Sequence, residues 1–216
     1  RPFSIALNQW TIRNYKPDLE RVRFINGQFI AVGGSAILTS PDGVSWTVRP
    51  AGLPVALYGI AYNPVAARYV ALGATDVFTS ENATSWTWRD AGITQYLVNA
   101  ACEPTGGWCV GIGFDWNTNT SAVSRTTNCL TWPPIDAGTQ PYLFAATLGG
   151  GQMVVAGAAG TMLTTNDGTN WTIRDAGTSI DIRGLAYAIV NSNPLFVAAE
   201  TNGGILSSAD AITWVR

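Results

Sequence analysis

Histidine is absent from the 216 residues, and lysine occurs once, at Lys16. Without histidine the chain lacks the usual general base and the commonest metal ligand. Charge is sparse as well: Asp, Glu, Lys and Arg make up 12% of the sequence, with a formal net charge of −2. That balance offers neither a polyanion-binding surface nor a disordered tail, so nucleic acid is not an expected partner. No apolar run approaches the roughly 18 residues that a membrane-spanning helix needs. The start at Arg1 also lacks the basic-then-apolar layout of a signal peptide, so a soluble domain without membrane insertion is expected, processed or excised from a longer chain. Glutamate is limited to Glu20, Glu81, Glu103 and Glu200. Three cysteines without a Cys-x-x-Cys spacing do not make a zinc site, and no metal or cofactor is expected. Long helical apolar stripes are missing too, which excludes a helix bundle.

Tryptophan is plentiful, and five of the nine close the same phrase. SPDGVSW (40–46), SENATSW (80–86), TTNCLTW (126–132), TNDGTNW (165–171) and SADAITW (208–214) all read Ser/Thr, any residue, Asp/Asn, a small residue, two of any kind, Trp. The tryptophans Trp46, Trp86, Trp132, Trp171 and Trp214 lie 40, 46, 39 and 43 residues apart. A period of about 40–45 residues built from short strands is the spacing of propeller blades. Each unit adds a Trp-Thr-x-Arg-like strand, an inner strand such as YGIAY (58–62) and a glycine-bounded apolar run such as MVVAG (153–157). Counted together these give about four strands per unit. The expected fold is all-β, a β-propeller of five blades, each of four antiparallel strands, in a single domain over 1–216. The units run 10–46, 46–86, 86–132, 132–171 and 171–214, with an extra leading strand at Trp10. A ring closed by an overlapping terminal strand leaves no long unpaired edge; a slice of a larger propeller is the alternative.

The repeated phrase has a physical reading as a turn. Its hydroxyl and carboxylate oxygens can accept backbone N–H groups two residues on, and its glycine takes positive φ. The following Trp then wedges its apolar face between blades, its indole N–H available to a carbonyl. These phrases resemble the Asp-box (BNR) repeats of sialidase-type and related bacterial or phage propellers, and the resemblance covers nearly the whole chain. It implies that Asp42, Asn82, Asn128, Asp167 and Asp210, with their tryptophans, are structural: turns between the two outer strands of each blade, away from the ligand end of the channel. Asn82 and Asn128 replace Asp, and Ala83, Cys129 and Ala211 replace Gly, so looser turns are expected there. Sialidases also carry an Arg-Ile-Pro, three carboxylate-binding arginines and a Tyr/Glu pair. This chain has no Arg-Ile-Pro, and no catalytic residue is assigned.

Three places could carry binding. In the third unit 13 residues separate Gly113 from Thr126, against seven between Gly33 and Ser40 in the first. The excess includes Phe114 and Trp116 beside Asp115, Asn117 and Asn119, a stacking face next to polar groups suited to sugar or peptide; a surface loop covering a blade edge is the plainer alternative. Aligning the inner strands places Tyr96, Tyr142 and Asp181 at the channel mouth. The recurring Arg13, Arg49, Arg89, Arg174 and Arg216, broken at Ile135, read as charged guards of edge strands in preference to a basic patch. Cys102 and Cys109 flank a turn and could form a cross-strand disulfide or remain two buried thiols; Cys129 is left over.

The sequence thus predicts a non-enzymatic binding or structural module that recognises a glycan or protein receptor at an extracellular or virion surface, as in tail or adhesin proteins, with other domains or subunits as possible neighbours. The alternatives are an assembly or interaction factor using a propeller face, and a sialidase-like glycoside hydrolase.

Overall fold

The computed structural model describes residues 18–49, 55–138 and 141–216. Trp10 and Arg13 lie outside them. Blade one comprises β1 (Arg21–Ile25), β2 (Gln28–Gly33), β3 (Ala36–Ser40) and β4 (Thr47–Arg49); blade two comprises β5 (Gly59–Asn63), β6 (Arg68–Gly73), β7 (Asp76–Ser80) and β8 (Thr87–Arg89). Blade three has β9 (Tyr96–Cys102), β10 (Cys109–Asp115) and β11 (Thr120–Thr126). Blade four has β12 (Leu143–Gly149), β13 (Gln152–Gly157), β14 (Met162–Thr165) and β15 (Thr172–Arg174), and blade five has β16 (Ile182–Val190), β17 (Asn193–Glu200) and β18 (Ile205–Ser208). Within each sheet the strands pair antiparallel in chain order. The protein is therefore an all-β, five-bladed propeller.

Two blades depart from the expected four strands. In blade three the outer strand shrinks to a single bridge between Ser124 and Pro134. The sequence WPPI replaces Trp-Thr-x-Arg here, and prolines at 133 and 134 have no N–H to donate to a ladder. In blade five one bridge, Ser207 to Val215, stands in the same place, one residue short of the last, Arg216.

The second strand of an interior blade is apolar without alternation because it is covered on both faces. Val70, Ala71 and Leu72 in blade two, and Met153, Val154, Val155 and Ala156 in blade four, are fully buried. One core lies between blades one and two, around Ile37, Leu57 and Phe78. Others join two to three around Val77, Leu97 and Trp132, three to four around Ile112, Leu143 and Val155, and four to five around Met162, Ile182 and Phe196. Among the described residues no such core joins blade five to blade one. Ala31, Ala36, Leu38 and Trp46 cluster within blade one alone.

The repeated turns join the third strand of each blade to its outer segment, and all five make the same bonds. In the first, the Ser40 hydroxyl donates to Asp42 Oδ1 at 3.0 Å, while the N–H groups of Val44 and Ser45 donate to the same oxygen at 2.8 Å each. Asn82 and Asn128 reproduce this through their carbonyl oxygens, at 2.9 Å to Thr84 and Ser85 and at 2.8 and 3.1 Å to Leu130 and Thr131. The expectation of looser turns is therefore corrected: an amide oxygen serves the turn as a carboxylate oxygen does, and Ala83, Cys129 and Ala211 hold φ of 60°, 62° and 60°. Where glycine is missing, these side chains are buried, and that packing offsets the left-handed backbone. The indole N–H groups divide. Trp46 and Trp86 donate to the carbonyls of Gly43 and Ala83, whereas those of Trp132, Trp171 and Trp214 are buried without a partner.

Strand directions define the two ends of the channel. First and third strands of a blade run the same way, so the turns between the first two strands and the repeated turns share one end, the box end. The turns between second and third strands share the opposite end with the entries to the inner strands. This is the entry end.

Candidate functional site: an aromatic rim at the entry end

Blade three reaches furthest at the entry end because β10 and β11 run seven residues each and remain paired out to Asp115 and Thr120. Phe114 pairs with Tyr96 of β9 across a register shift at Ile112 and Gly113. A side chain at Gly113 could not fit there: its Cβ would lie 1.8 Å from the Tyr96 carbonyl oxygen. The glycine thus lets β9 close on β10, and Phe114 and Tyr96 stack with centroids 5.5 Å apart and planes within 14°.

Trp116, beyond the strand end, stands edge-on to Phe114 at 4.6 Å and to Tyr96 at 6.1 Å. Tyr142, leading into β12 of blade four, completes the group at 5.1 Å from Phe114 and 6.0 Å from Trp116. Its hydroxyl donates to Asn119 Oδ1 at the loop tip, and Asn119 takes φ of 57° to turn the chain. Asp115 Oδ1 accepts the Asn117 N–H at 2.8 Å, which closes the start of the same turn. Two groups of residues that the sequence places separately, the blade-three loop and the channel-mouth tyrosines, are one surface. Trp116 is 60% exposed, so the group presents a face to solvent.

Asp181 is held elsewhere. Its Oδ1 accepts the Ala159 N–H of blade four at 3.0 Å, and Oδ2 lies 3.4 Å from Arg183, whose guanidinium sits 3.6 Å over the Phe144 ring. Asn119, one of the loop's amide groups, takes the left-handed turn position that an Asn inside an extended loop favours.

Three of the recurring arginines also bind within their own blades. Arg49, Arg89 and Arg174 donate from Nε to Thr39, Thr79 and Thr164 at 2.9, 3.0 and 2.9 Å, latching outer strand to third strand. In blade three both halves of the latch change together: Ile135 replaces the arginine, and Arg125 replaces the threonine and reaches the Asp167 carbonyl at 3.0 Å. Arg216 instead grips the buried Glu200 carboxylate at 2.7 and 2.8 Å.

Cys102 and Cys109 are register partners at the box end of β9 and β10 and are joined as a disulfide. Cys129 is buried, and burial pushes its thiol up to about 11, which keeps it protonated and a poor nucleophile at neutral pH. Among the described residues no three His, Cys, Asp or Glu side chains converge as a metal site.

No protein-family model matches the chain, and no curated protein matches it. Solved structures do. A structure of YCF48 bound to D1 peptide superposes with a TM-score of 0.64 at 15% identity, covering 92% of this chain and 66% of that one. The WD40 β-propeller domain of Doa1 gives 0.66 at 11% identity, covering 94% and 69%. YCF48 from Cyanidioschyzon merolae gives 0.64 at 14%, covering 91% and 71%. The chain thus spans about two thirds of the length of the propellers it resembles, and at these identities the likeness is one of fold.

Proposed function

We propose that the chain is a non-enzymatic binding module that recognises a glycan or protein receptor through the aromatic rim of Tyr96, Phe114, Trp116 and Tyr142, at an extracellular or virion surface. The observation that carries this reading is the meeting of three rings from two blades around the exposed Trp116 indole. The exposed Trp116 indole, braced edge-on by its neighbours beside the Asp115, Asn117 and Asn119 oxygens, suits a sugar ring or an extended peptide, each of which offers both CH faces and hydrogen-bonding groups. One similar propeller is solved with a peptide bound, which supports the protein arm of the reading. The Cys102–Cys109 bond supports the oxidising location, since such bonds persist outside the reducing cytosol. Use of the recurring arginines as a docking face is less favoured, because their Nε groups already serve the threonine latches.

Glycan and peptide arrays probed with the wild type and with Trp116→Ala test the proposal. A ligand whose binding falls at least about tenfold in the variant, with the melting temperature unchanged, is the expected result. Undiminished binding by Trp116→Ala would remove the rim from the reading. Turnover of any fluorogenic glycoside would overturn the non-enzymatic assignment. Mass spectrometry of protein from its native source, showing Cys102 and Cys109 as free thiols, would count against export.

A further inference from the structure

At the box end of the channel, opposite the aromatic rim, the inner strands of all five blades line an open cavity of ≈ 580 Å³. Its lining includes Arg23 and Asn26 of blade one, Tyr62 of blade two, Cys102 of blade three, Thr147 of blade four and Tyr187 of blade five. That volume is in the range of small-ligand sites, roughly 300–1,000 Å³. The cavity is shaped by fixed groups. Tyr187 lies flat on Gly149, where a Cβ would overlap its ring, and the disulfide pins the β9–β10 hairpin at the rim. Asn26 is oriented by donating its amide to the Tyr69 hydroxyl at 2.9 Å.

Among the described residues, Arg23 is the only cation in this lining. It crosses the channel and donates one Nη2 bond to the Ala146 carbonyl of blade four at 3.2 Å. Arg21, two residues earlier on the same face of β1, donates Nε to the Tyr58 carbonyl at 3.1 Å. Neither forms an ion pair with any of the fourteen Asp and Glu side chains, all of which lie among the described residues. The arginines that do pair are Arg68, Arg183 and Arg216. Burial lowers the pKa of Arg23, and that of Arg21, where Arg23 itself adds to the effect against a weaker opposing pull from Glu20. Two neighbouring, partly buried guanidiniums, each spending one N–H donor on a partner among the described residues, form a positive pole that no carboxylate pairs. Such groups are stabilised when an anion meets them.

We infer that this box-end cavity binds a carboxylate carried on a small apolar or aromatic body, with Arg23 as its fork and Tyr62 and Tyr187 as its walls. One guanidinium among otherwise neutral lining groups balances a monoanion, and its planar fork fits two carboxylate oxygens side by side. The site is separate from the aromatic rim, so it stands or falls independently of the function proposed above.

Titration of the isotope-labelled 216-residue protein with benzoate, followed by amide NMR, tests the inference. Saturable shifts are expected at residues 23–26, 60–63, 100–103, 147–148 and 187. The neutral isostere benzamide and inorganic phosphate should leave these positions unmoved. Arg23→Gln should weaken benzoate at least tenfold, and Arg23→Lys should retain part of the affinity. Because Arg23→Gln could disturb the channel, its undisturbed shifts at Trp116 and Tyr142 serve as the check on folding, and the wild-type comparison of benzoate with benzamide decides the matter without it. No shift with benzoate, equal shifts with benzamide, stronger shifts with phosphate, or unchanged affinity in a folded Arg23→Gln would each overturn the inference.

Discussion

Trp132 and Trp46 occupy the same place in the repeat and meet different surroundings. Trp132 is 1% exposed, wedged into the core that blades two and three share. Trp46 is half-buried and packs within blade one. The inner strands show the same contrast. Leu57, Leu97, Leu143 and Ile182 are fully buried where each inner strand begins, each against the blade before it, whereas their counterpart Leu19 is 42% exposed. Val22 and Phe24 follow it into solvent, and on the far side of blade five Val197 and Ile205 are left partly or largely open. The lesson is that a repeat does not stabilise itself. A wedge residue contributes what its neighbouring blade allows, so identical sequence has unequal energetic weight along the chain.

That contrast can be broken by matched substitutions. The largest effect is expected for Val154→Asp against Val197→Asp, equivalent positions in β13 and β17. Val154 is buried between blades four and five, so an unpaired carboxylate there should cost about 4 kcal/mol or more, whereas Val197→Asp should cost no more than about 1 kcal/mol. Trp132→Ala should lose about 3–5 kcal/mol and Trp46→Ala about 1–2 kcal/mol. Urea midpoints report both pairs, and equal losses within either pair would end the distinction between interior and outer faces. Replacing Cys102 and Cys109 together by serine opens a short loop in an interior blade, with an expected loss of about 2 kcal/mol in the same measurement.

The smallest effect belongs to the turns. Donated bonds from the N–H groups of Ser45 and Val44 and from the Ser40 hydroxyl hold the Asp42 carboxyl at about 2, below its usual 3.8. Asp167 and Asp210 are lowered in the same way by the backbone N–H groups that follow them. A depressed carboxyl stabilises the fold above its unfolded pKa and loses that contribution as pH falls through the folded value. Stability should therefore be level from neutral pH to about 4 and decline toward pH 2. Asp42→Asn should leave the neutral melting temperature almost unchanged and reduce the acid decline, because Asn82 and Asn128 already hold this turn without a charge. A steeper decline in that variant would show that the carboxylate is not the titrating group.

The blade count was legible because it rests on residues that recur at fixed places: a turn that needs two side-chain oxygens, and an indole that returns to the sheet. The four-strand expectation failed where local chemistry overrode the period, at Pro133 and Pro134. The arginines were legible as a series but not as latches. Their threonine partners sit ten residues earlier in the chain, and only the pairing of third and outer strands brings them together. At the rim, Phe114, Trp116, Tyr96 and Tyr142 could be singled out one at a time. Their meeting depends on the register shift at Gly113 and on blades three and four lying side by side, neither of which a linear reading contains. Asp181 stands apart from the rim for the converse reason: equal sequence position places it on blade five, where a backbone amide and Arg183 meet its carboxylate.

The bond from the Tyr142 hydroxyl to Asn119 has a kinetic consequence. It ties the tip of one blade's loop to the next blade before any ligand arrives, so little ordering entropy is lost at the moment of capture. A rim set in place in this way should show association rates that barely vary among its ligands, with selectivity expressed in how long each one stays.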